Sequence, residues 1–400
     1  MKNKVVILGA GPSGLFAAYL LLEKGFEVDL YDHSSGPGKK FLVAGNGGLN
    51  LTHSEPLTEF EKKYSNHSGL FSSLLSDFSP KDLRDFCQKL GVETFVGSSG
   101  RVFPKMLNAA SMMRNWIDVL KRNKKFSLFL NHRLVDIKVD NSSYLVELFD
   151  LRENEKSIIE CKKLILGLGG GSWKKTGSDG AWVSILKSLG INVINFSAYN
   201  CGHEVQWSEK FRETIDYAYL KNVAINNVIG EVMVTPYGIE GSLIYANSKN
   251  IQKQLEVNKK ALIEIDFRPN SSHSDLIKKL GKKRSKDSRK NQLRKCLKLT
   301  ETEYSLLVEI LSKQEMADDQ TLIQSTKKLK IHLGKPRPID EAISTSGGID
   351  LAEVDQNFES KKFPGLYFIG EMLDWDAPTG GYLLQGCFSI AHRAASSIQN

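Results

Sequence analysis

Cysteine is scarce and scattered in this 400-residue chain. Its five copies, Cys87, Cys161, Cys201, Cys296 and Cys387, form no CxxC pair. Neither a disulfide framework, a zinc site nor a redox dithiol is therefore expected. The eight histidines lack ligand spacing as well, so no metal is expected. Long apolar runs are also few. Residues 5–22 follow Lys2 and Lys4 and could be taken for a leader or anchor, but Gly9, Gly11, Pro12 and Gly14 would interrupt the helix such a segment needs. No other stretch approaches membrane length, which predicts a cytoplasmic protein with no membrane partner. The net charge of +8 permits an anionic partner such as RNA without demanding one.

The first thirty residues carry the clearest pattern. Val5, Val6, Ile7 and Leu8 make a run of strand length, followed at once by Gly9-Ala10-Gly11-Pro12-Ser13-Gly14 and a helical pattern closed by Gly25. A second strand, residues 27–31, delivers Asp32 about twenty residues beyond the glycines, where a carboxylate can accept from a ribose. Gly9 allows the tight turn, Gly11 lets the backbone approach a pyrophosphate, and Gly14 lets helix and strand pack closely. The phosphates would sit on the helix N-terminus. This combination predicts an adenine dinucleotide.

A second glycine-rich stretch, residues 34–52, includes Lys40, Gly45, Asn46 and Asn50; it reads as a backbone cradle for the same cofactor, with a plain surface loop as the alternative. Ser79 and Pro80 open a capped helix, and Met112, Trp116 and Leu120 recur at helical spacing in another. Between them, Arg101 and Lys105 lie in a loop and could meet a phosphate, a substrate or only solvent. Residues 126–161 alternate as a small antiparallel meander. The strand 163–166 then ends in Gly167, Gly169, Gly170 and Gly171 without opening a second GxGxxG unit, so no separate nicotinamide domain is expected.

Near residue 196 the character shifts to short strands, a turn at Pro236-Tyr237-Gly238, and then a polar helical region. Residues 278–298 hold eleven Lys or Arg and one acid, Asp287. They form either a solvated helix face or a phosphate-contacting surface, and no aromatic is interleaved for base stacking. The last segment returns to the first domain, with strand 365–369 ending at Gly370-Glu371. Gly380-Gly381-Tyr382 then opens a terminal helix whose N–H groups and positive dipole suit the charge that reduced flavin develops at its N1/O2 edge.

On these residues, from the opening glycines to the run Gly370-Glu371-Met372-Leu373-Asp374-Trp375 and Ala377-Pro378-Thr379-Gly380-Gly381-Tyr382, the chain resembles the aminoacetone-oxidase-like family of FAD-dependent oxidoreductases, in the glutathione-reductase-like superfamily. The resemblance runs almost end to end. It implies an α/β fold: a Rossmann-like FAD domain with a β-meander, built from residues 1–194 and 337–400. An inserted substrate domain, 195–336, would be a β-barrel with a basic helical segment at about 271–325.

Expected FAD contacts are Gly9, Gly11, Pro12, Ser13, Gly14, Asp32, Lys40, Gly45, Asn46, Asn50, Val135, Gly169, Gly370, Glu371, Gly380, Gly381 and Tyr382. Thr235, Gly238, Gly241 and Ser242 match a Thr-x-x-Gly-x-x-Gly loop expected on the substrate side, facing the flavin. Many relatives carry Arg-Cys where this chain has Gly48-Leu49, so thiol or guanidinium chemistry of that loop is not carried over.

Relatives resemble amine oxidases, bile-acid reductases and enzymes that reduce a uridine of ribosomal RNA. The expected activity is a flavin reductase fed transiently by NAD(P)H and acting on a uridine in RNA, which residues 278–298 would contact. The alternatives are a small-molecule amine oxidase using oxygen and a flavin-containing RNA-binding factor without turnover. Tyr382, Cys387 and His53 are the candidate proton donors by chemical type and neighbourhood.

Overall fold

The computed structural model describes residues 3–45, 48–106 and 108–399. The chain divides into two compact units, Met1–Ser197 with Ile343–Asn400, and Ala198–Ala342.

The first unit is built on five parallel strands: β1 (Lys4–Leu8), β2 (Glu27–Asp32), β3 (Phe126–Leu130), β4 (Leu164–Leu166) and β5 (Leu366–Phe368). Their order across the sheet is β5-β4-β1-β2-β3. Val5, Ile7, Ile165 and Leu366 are fully buried, as expected where both faces of a parallel sheet are covered, here by helices and by antiparallel strands, so that its strands read as apolar runs rather than alternations. The crossover direction reverses at β1, so a crevice opens beyond its carboxyl end.

Helices α1 (Pro12–Glu23), α2 (Lys39–Ala44) and α3 (Tyr382–Ser397) position the site. α1 and α3 pack together through an aromatic cluster in which Phe16 meets Phe388 edge-on at 5.0 Å and Trp116 stacks on Phe388 at 5.6 Å.

Two sequence expectations need correction here. Residues 126–130 belong not to the meander but to the parallel sheet as β3; the antiparallel meander is His132–Asp140, Ser143–Asp150 and Glu155–Cys161. The second glycine-rich stretch is partly helical, since Gly38, in the left-handed region at φ +63°, turns the chain into α2.

In the second unit, Ala218–Ile225, Val228–Thr235, Gly238–Glu240 and His203–Glu204 form a four-stranded antiparallel sheet. Ala261–Ile265 pairs with Leu329–Leu333 in a separate ladder. The barrel expected here is thus resolved as two sheets, joined by the isolated bridges His203–Pro336 and Ala224–Asp266. Pro336 has no N–H to extend the first of these into a ladder. Helices including His273–Leu280, Arg289–Leu297 and Glu301–Ile310 cover this unit, whose own core contains Leu276, Leu293 and Leu307. Among the described residues, no helix is long and apolar enough to cross a membrane.

Candidate functional site

The crevice beyond β1 is shaped first by what glycine permits. A Cβ on Gly14 would lie 1.9 Å from the carbonyl oxygen of Gly9, so the close approach of α1 to the turn excludes any side chain. At Gly11, by contrast, nothing lies within 4 Å of a Cβ position, and this open side belongs to the crevice. Pro12, at the first turn of α1, removes an N–H that the helix leaves unpaired in any case. Asp32 ends β2. Its carboxylate accepts from Ala10 N at 2.6 Å and Ser34 N at 2.7 Å, which holds the glycine turn and leaves one lone pair on each oxygen for a hydroxyl.

Lys40 on α2 crosses this crevice. It donates to Ser172 Oγ at 2.9 Å and to Glu371 Oε2 at 2.8 Å, with both charged side chains mostly buried. Gly370, at φ +77°, packs so tightly that a Cβ would meet Ser13 Oγ at 2.4 Å. Cys387 Sγ lies beside it, and burial pushes that thiol up to about 12, so it stays neutral.

The crevice fits the FAD its sequence predicts. Ser178 Oγ, on the crevice wall with Gly169, is buried without a hydrogen-bond partner; Asn50 Oδ1, in the loop before the strand Thr52–His53, is buried unpaired as well. Orphaned polar atoms at that depth are costly unless a ligand satisfies them. At the other end of the crevice, His132, Arg133, Leu134 and Trp182 make a half-apolar slot suited to an adenine ring.

A second cluster surrounds the start of α3. Gly381 is in the left-handed region at φ +96°, and its Cα faces the backbone of Thr52 so closely that a Cβ would lie 2.5 Å from Thr52 Cα. Thr52 Oγ1 donates to Gln385 Oε1 at 2.8 Å, locking this contact inside the core. The next residue, His53, stacks on the Tyr382 ring at 5.5 Å. Arg101 is its cross-strand partner and approaches Gly380.

The Tyr382 phenol is mostly buried, and burial first, then its hydrogen bond to Glu55, holds its pKa well above the ordinary phenol value. Glu55 sits between His53, 3.9 Å from its Nδ1, and Lys63, 3.9 Å from its Nζ. Its Oε1 is buried without a hydrogen-bond partner. A protonated phenol, a largely buried carboxylate, an imidazole and two cations therefore cluster beside a helix N-terminus. That set can deliver a proton and polarise an oxygen.

Of the residues singled out from sequence, most of those in the first unit gather on the crevice or at the start of α3. Asn46 lies outside the described residues. Val135 occupies the irregular step between Leu134 and Asp136 of the meander, one residue beyond the adenine slot. Cys387 lines the crevice on α3 beside Ser13 and Glu371, more than a helical turn beyond Tyr382.

In the second unit the predicted loop is a locked turn. Thr235 Oγ1 exchanges hydrogen bonds with the Gly238 backbone at 3.1 Å, Gly241 precedes the helix Ser242–Ala246, and Ser242 Oγ lies 3.4 Å from Glu231 O. Tyr237 donates to Glu240 at 2.5 Å within it, and the Arg337 guanidinium stacks on the Tyr237 ring at 4.3 Å. Glu55, Lys63, Ser172 and Ser178 were missed. The only sequence signal was the nearness of Glu55 to His53 and of Ser172 and Ser178 to the third glycine run; nothing local marks Lys63.

The chain is 24% identical to the 3-dehydro-bile acid delta(4,6)-reductase of Clostridium scindens, an alignment covering 98% of this chain and 99% of that protein. It is 27% identical to the ribosomal RNA dihydrouridine synthase of Haemophilus influenzae, covering 98% of each. Among solved structures, the open conformation of a flavocytochrome c3 fumarate reductase superposes with a TM-score of 0.55 at 14% identity, over 98% of this chain and 77% of that one, a likeness of fold. These similarities and the crevice agree on an FAD-dependent oxidoreductase. The profile described as HI0933-like protein Rossmann domain matches residues 3–397, and the chain belongs to that family of Rossmann-type FAD oxidoreductases.

Proposed function

We propose that this protein is a cytoplasmic flavin reductase, driven by NAD(P)H, that saturates a carbon–carbon double bond conjugated to a carbonyl, with uridine in RNA as the favoured substrate. The observation that carries the reading is the protonated Tyr382 phenol, hydrogen-bonded to the largely buried Glu55 carboxylate beside the glycine-opened start of α3. The names of two relatives support it. The delta(4,6) bonds of a 3-dehydro bile acid and the C5=C6 bond of uridine are both conjugated to a carbonyl, which makes both acceptors of hydride.

FAD, when bound, supplies that hydride after taking one from NAD(P)H, and the N-terminus of α3 favours the negative charge of its reduced form. Gly11, Asp32 and the first turn of α1 would hold its diphosphate and ribose, with Ser178 and Asn50 satisfied by its polar atoms. Arg101 would hold the substrate carbonyl. Tyr382 would hand a proton to the α-carbon, and Glu55 with His53 would return one from solvent. Cys387, neutral and more than a turn away on α3, is the weaker donor. Each turnover oxidises one NAD(P)H, reduces one C=C bond and consumes one proton.

In the second unit, Thr235, Gly238, Gly241 and Ser242 are assigned to substrate contact. We read its two sheets as one distorted barrel, supported by Glu204 N to Lys335 O at 2.9 Å, Gly334 N to Glu204 O at 2.7 Å and Ala224 N to Asp266 O at 2.9 Å.

Anaerobic stopped-flow spectroscopy tests the reading. NADH or NADPH should bleach the flavin, and a conjugated enone or a uridine-containing RNA should restore its colour faster than oxygen does. Amine-dependent peroxide formation without NAD(P)H would replace the proposal with a small-molecule oxidase. RNA retention with no flavin turnover would leave a binding factor.

A further inference from the structure

The eleven cations between residues 278 and 298 fall into two classes. Four are matched to acids. Lys283 and Arg289 both bind Asp319, Lys290 binds Glu301 at 2.5 Å, and Lys295 binds Asp287 at 3.0 Å. Three of these four are partly buried, and they brace the helix Arg289–Leu297 and the loop before it against neighbouring helices. The other seven are all exposed and make no contact ion pair among the described residues; Lys278 and Lys279 feel Asp275 one turn back on their helix, and Lys279 also reaches the hydroxyl of Ser271. They run from the last turn of His273–Leu280, through the connecting loop, to the residue that caps Arg289–Leu297.

Lys278, Lys279 and Arg294 suit the helix C-termini they occupy, but Lys282, Arg284 and Lys286 in the loop between add like charge with no such return. Residues 282–286 are Lys, Lys, Arg, Ser and Lys, with no apolar side chain to enter a bilayer and no aromatic to stack on a base. What such a surface can satisfy is a row of phosphates.

We propose that Lys278, Lys282, Arg284, Lys286, Arg294 and Lys298 bind the phosphodiester backbone of single-stranded RNA without reading its sequence, while the four acid-matched cations serve only the fold. This rests on the RNA form of the proposed function for its biological sense, but it is tested separately.

The experiment uses the full-length, FAD-loaded protein and a labelled 20-nucleotide RNA of mixed sequence, followed by fluorescence anisotropy across a salt series. Wild-type affinity should fall linearly in log–log form, with a slope of roughly −0.7 per phosphate contacted. Replacing Lys282, Arg284 and Lys286 together by Ala should flatten that slope by about 2 and weaken binding at least ~10-fold at low salt. Replacing Lys290 and Lys295 by Gln should change binding less than about 3-fold. A circular dichroism spectrum and urea-unfolding curve equal to wild type certify folding of the second unit, and the Lys282→Arg and Lys286→Arg variant should keep the wild-type slope.

Equal losses in the acid-matched and unmatched sets would overturn the proposal, since net charge alone would then explain binding. So would wild-type binding that is absent or indifferent to salt, or binding to phosphatidylserine vesicles but not to RNA. RNA bound but never reduced would keep this surface and remove the uridine assignment. Free uridine reduced without RNA binding would do the reverse.

Discussion

Glu55 concentrates the residue-scale chemistry: a carboxylate with one buried oxygen lacking a hydrogen-bond partner, between an imidazole, an ammonium and a phenol. Its replacement by Gln keeps the shape and removes the proton acceptor. Glu55→Gln should therefore slow reoxidation of the reduced flavin by substrate about 10- to 100-fold while leaving reduction by NAD(P)H and FAD content near wild type. If both half-reactions slow equally in stopped flow, Glu55 is structural.

His203, in the second unit, makes a pH prediction. Burial lowers its pKa to about 4, and its Nδ1 has no partner. The folded imidazole is neutral, whereas in the unfolded chain it takes a proton below its ordinary value of about 6.5. Its contribution to stability is complete above that pH and is lost as pH falls toward 4. Between pH 7.5 and 4.5 this costs on the order of 2–3 kcal/mol. Urea unfolding should show His203→Gln losing that much less than wild type across the interval; parallel losses would refute the assignment.

At the scale of elements, local pattern and tertiary context divide cleanly. The helix Pro80–Lys89 was legible because Ser79 and Asp82 form a reciprocal cap within four residues. Strand β3 was misassigned because its residues are half-buried and it leads directly into an alternating meander; only its parallel pairing with β2 separates the two. Helix α2 was hidden in a glycine-rich stretch, since the left-handed turn at Gly38 that starts it has no distinctive sequence beyond glycine itself.

The helix Glu301–Ile310 shows how a cap can also serve the core. Glu303 accepts from Thr300 N at 2.7 Å and forms a two-pronged pair with Arg268, 2.8 Å to each oxygen, with its side chain 3% exposed. Glu303→Ala removes the counter-charge of Arg268, which keeps only its backbone carbonyl acceptors, and half of the capping box, and should destabilise the second unit by about 2–4 kcal/mol. Denaturant melts read this directly. A loss below about 1 kcal/mol would place the pair with ordinary surface bridges.

For the whole molecule, cofactor binding and stability are one equilibrium. Free FAD at a hundred times its dissociation constant should add about 2.7 kcal/mol to unfolding of the first unit. Gly381→Ala should abolish that increment, because a Cβ at φ +96° would collide with the Thr52 backbone and displace either α3 or the strand beside it. Thermal melts with and without FAD measure both.

The cofactor was readable from the chain alone. The βαβ unit at residues 4–32 is local, and the contact that requires Gly14 is made with Gly9 inside the same motif, although the one that requires Gly9 comes from Gly167 on the neighbouring strand's end. The acidic strand end at Glu371 and the glycine-opened helix at Gly381 were likewise visible as motifs. Only the tertiary structure decided which side chains meet: Lys40 with Glu371 across 331 positions, Thr52 with Gln385 across 333, and Tyr382 with Glu55. The same holds for the basic segment, where folding assigns four cations to acids and leaves the others in solvent. Spacing specifies what neighbours in sequence can do, whereas charge pairing and proton affinity depend on neighbours in space, and these come together only when the sheet closes the chain upon itself.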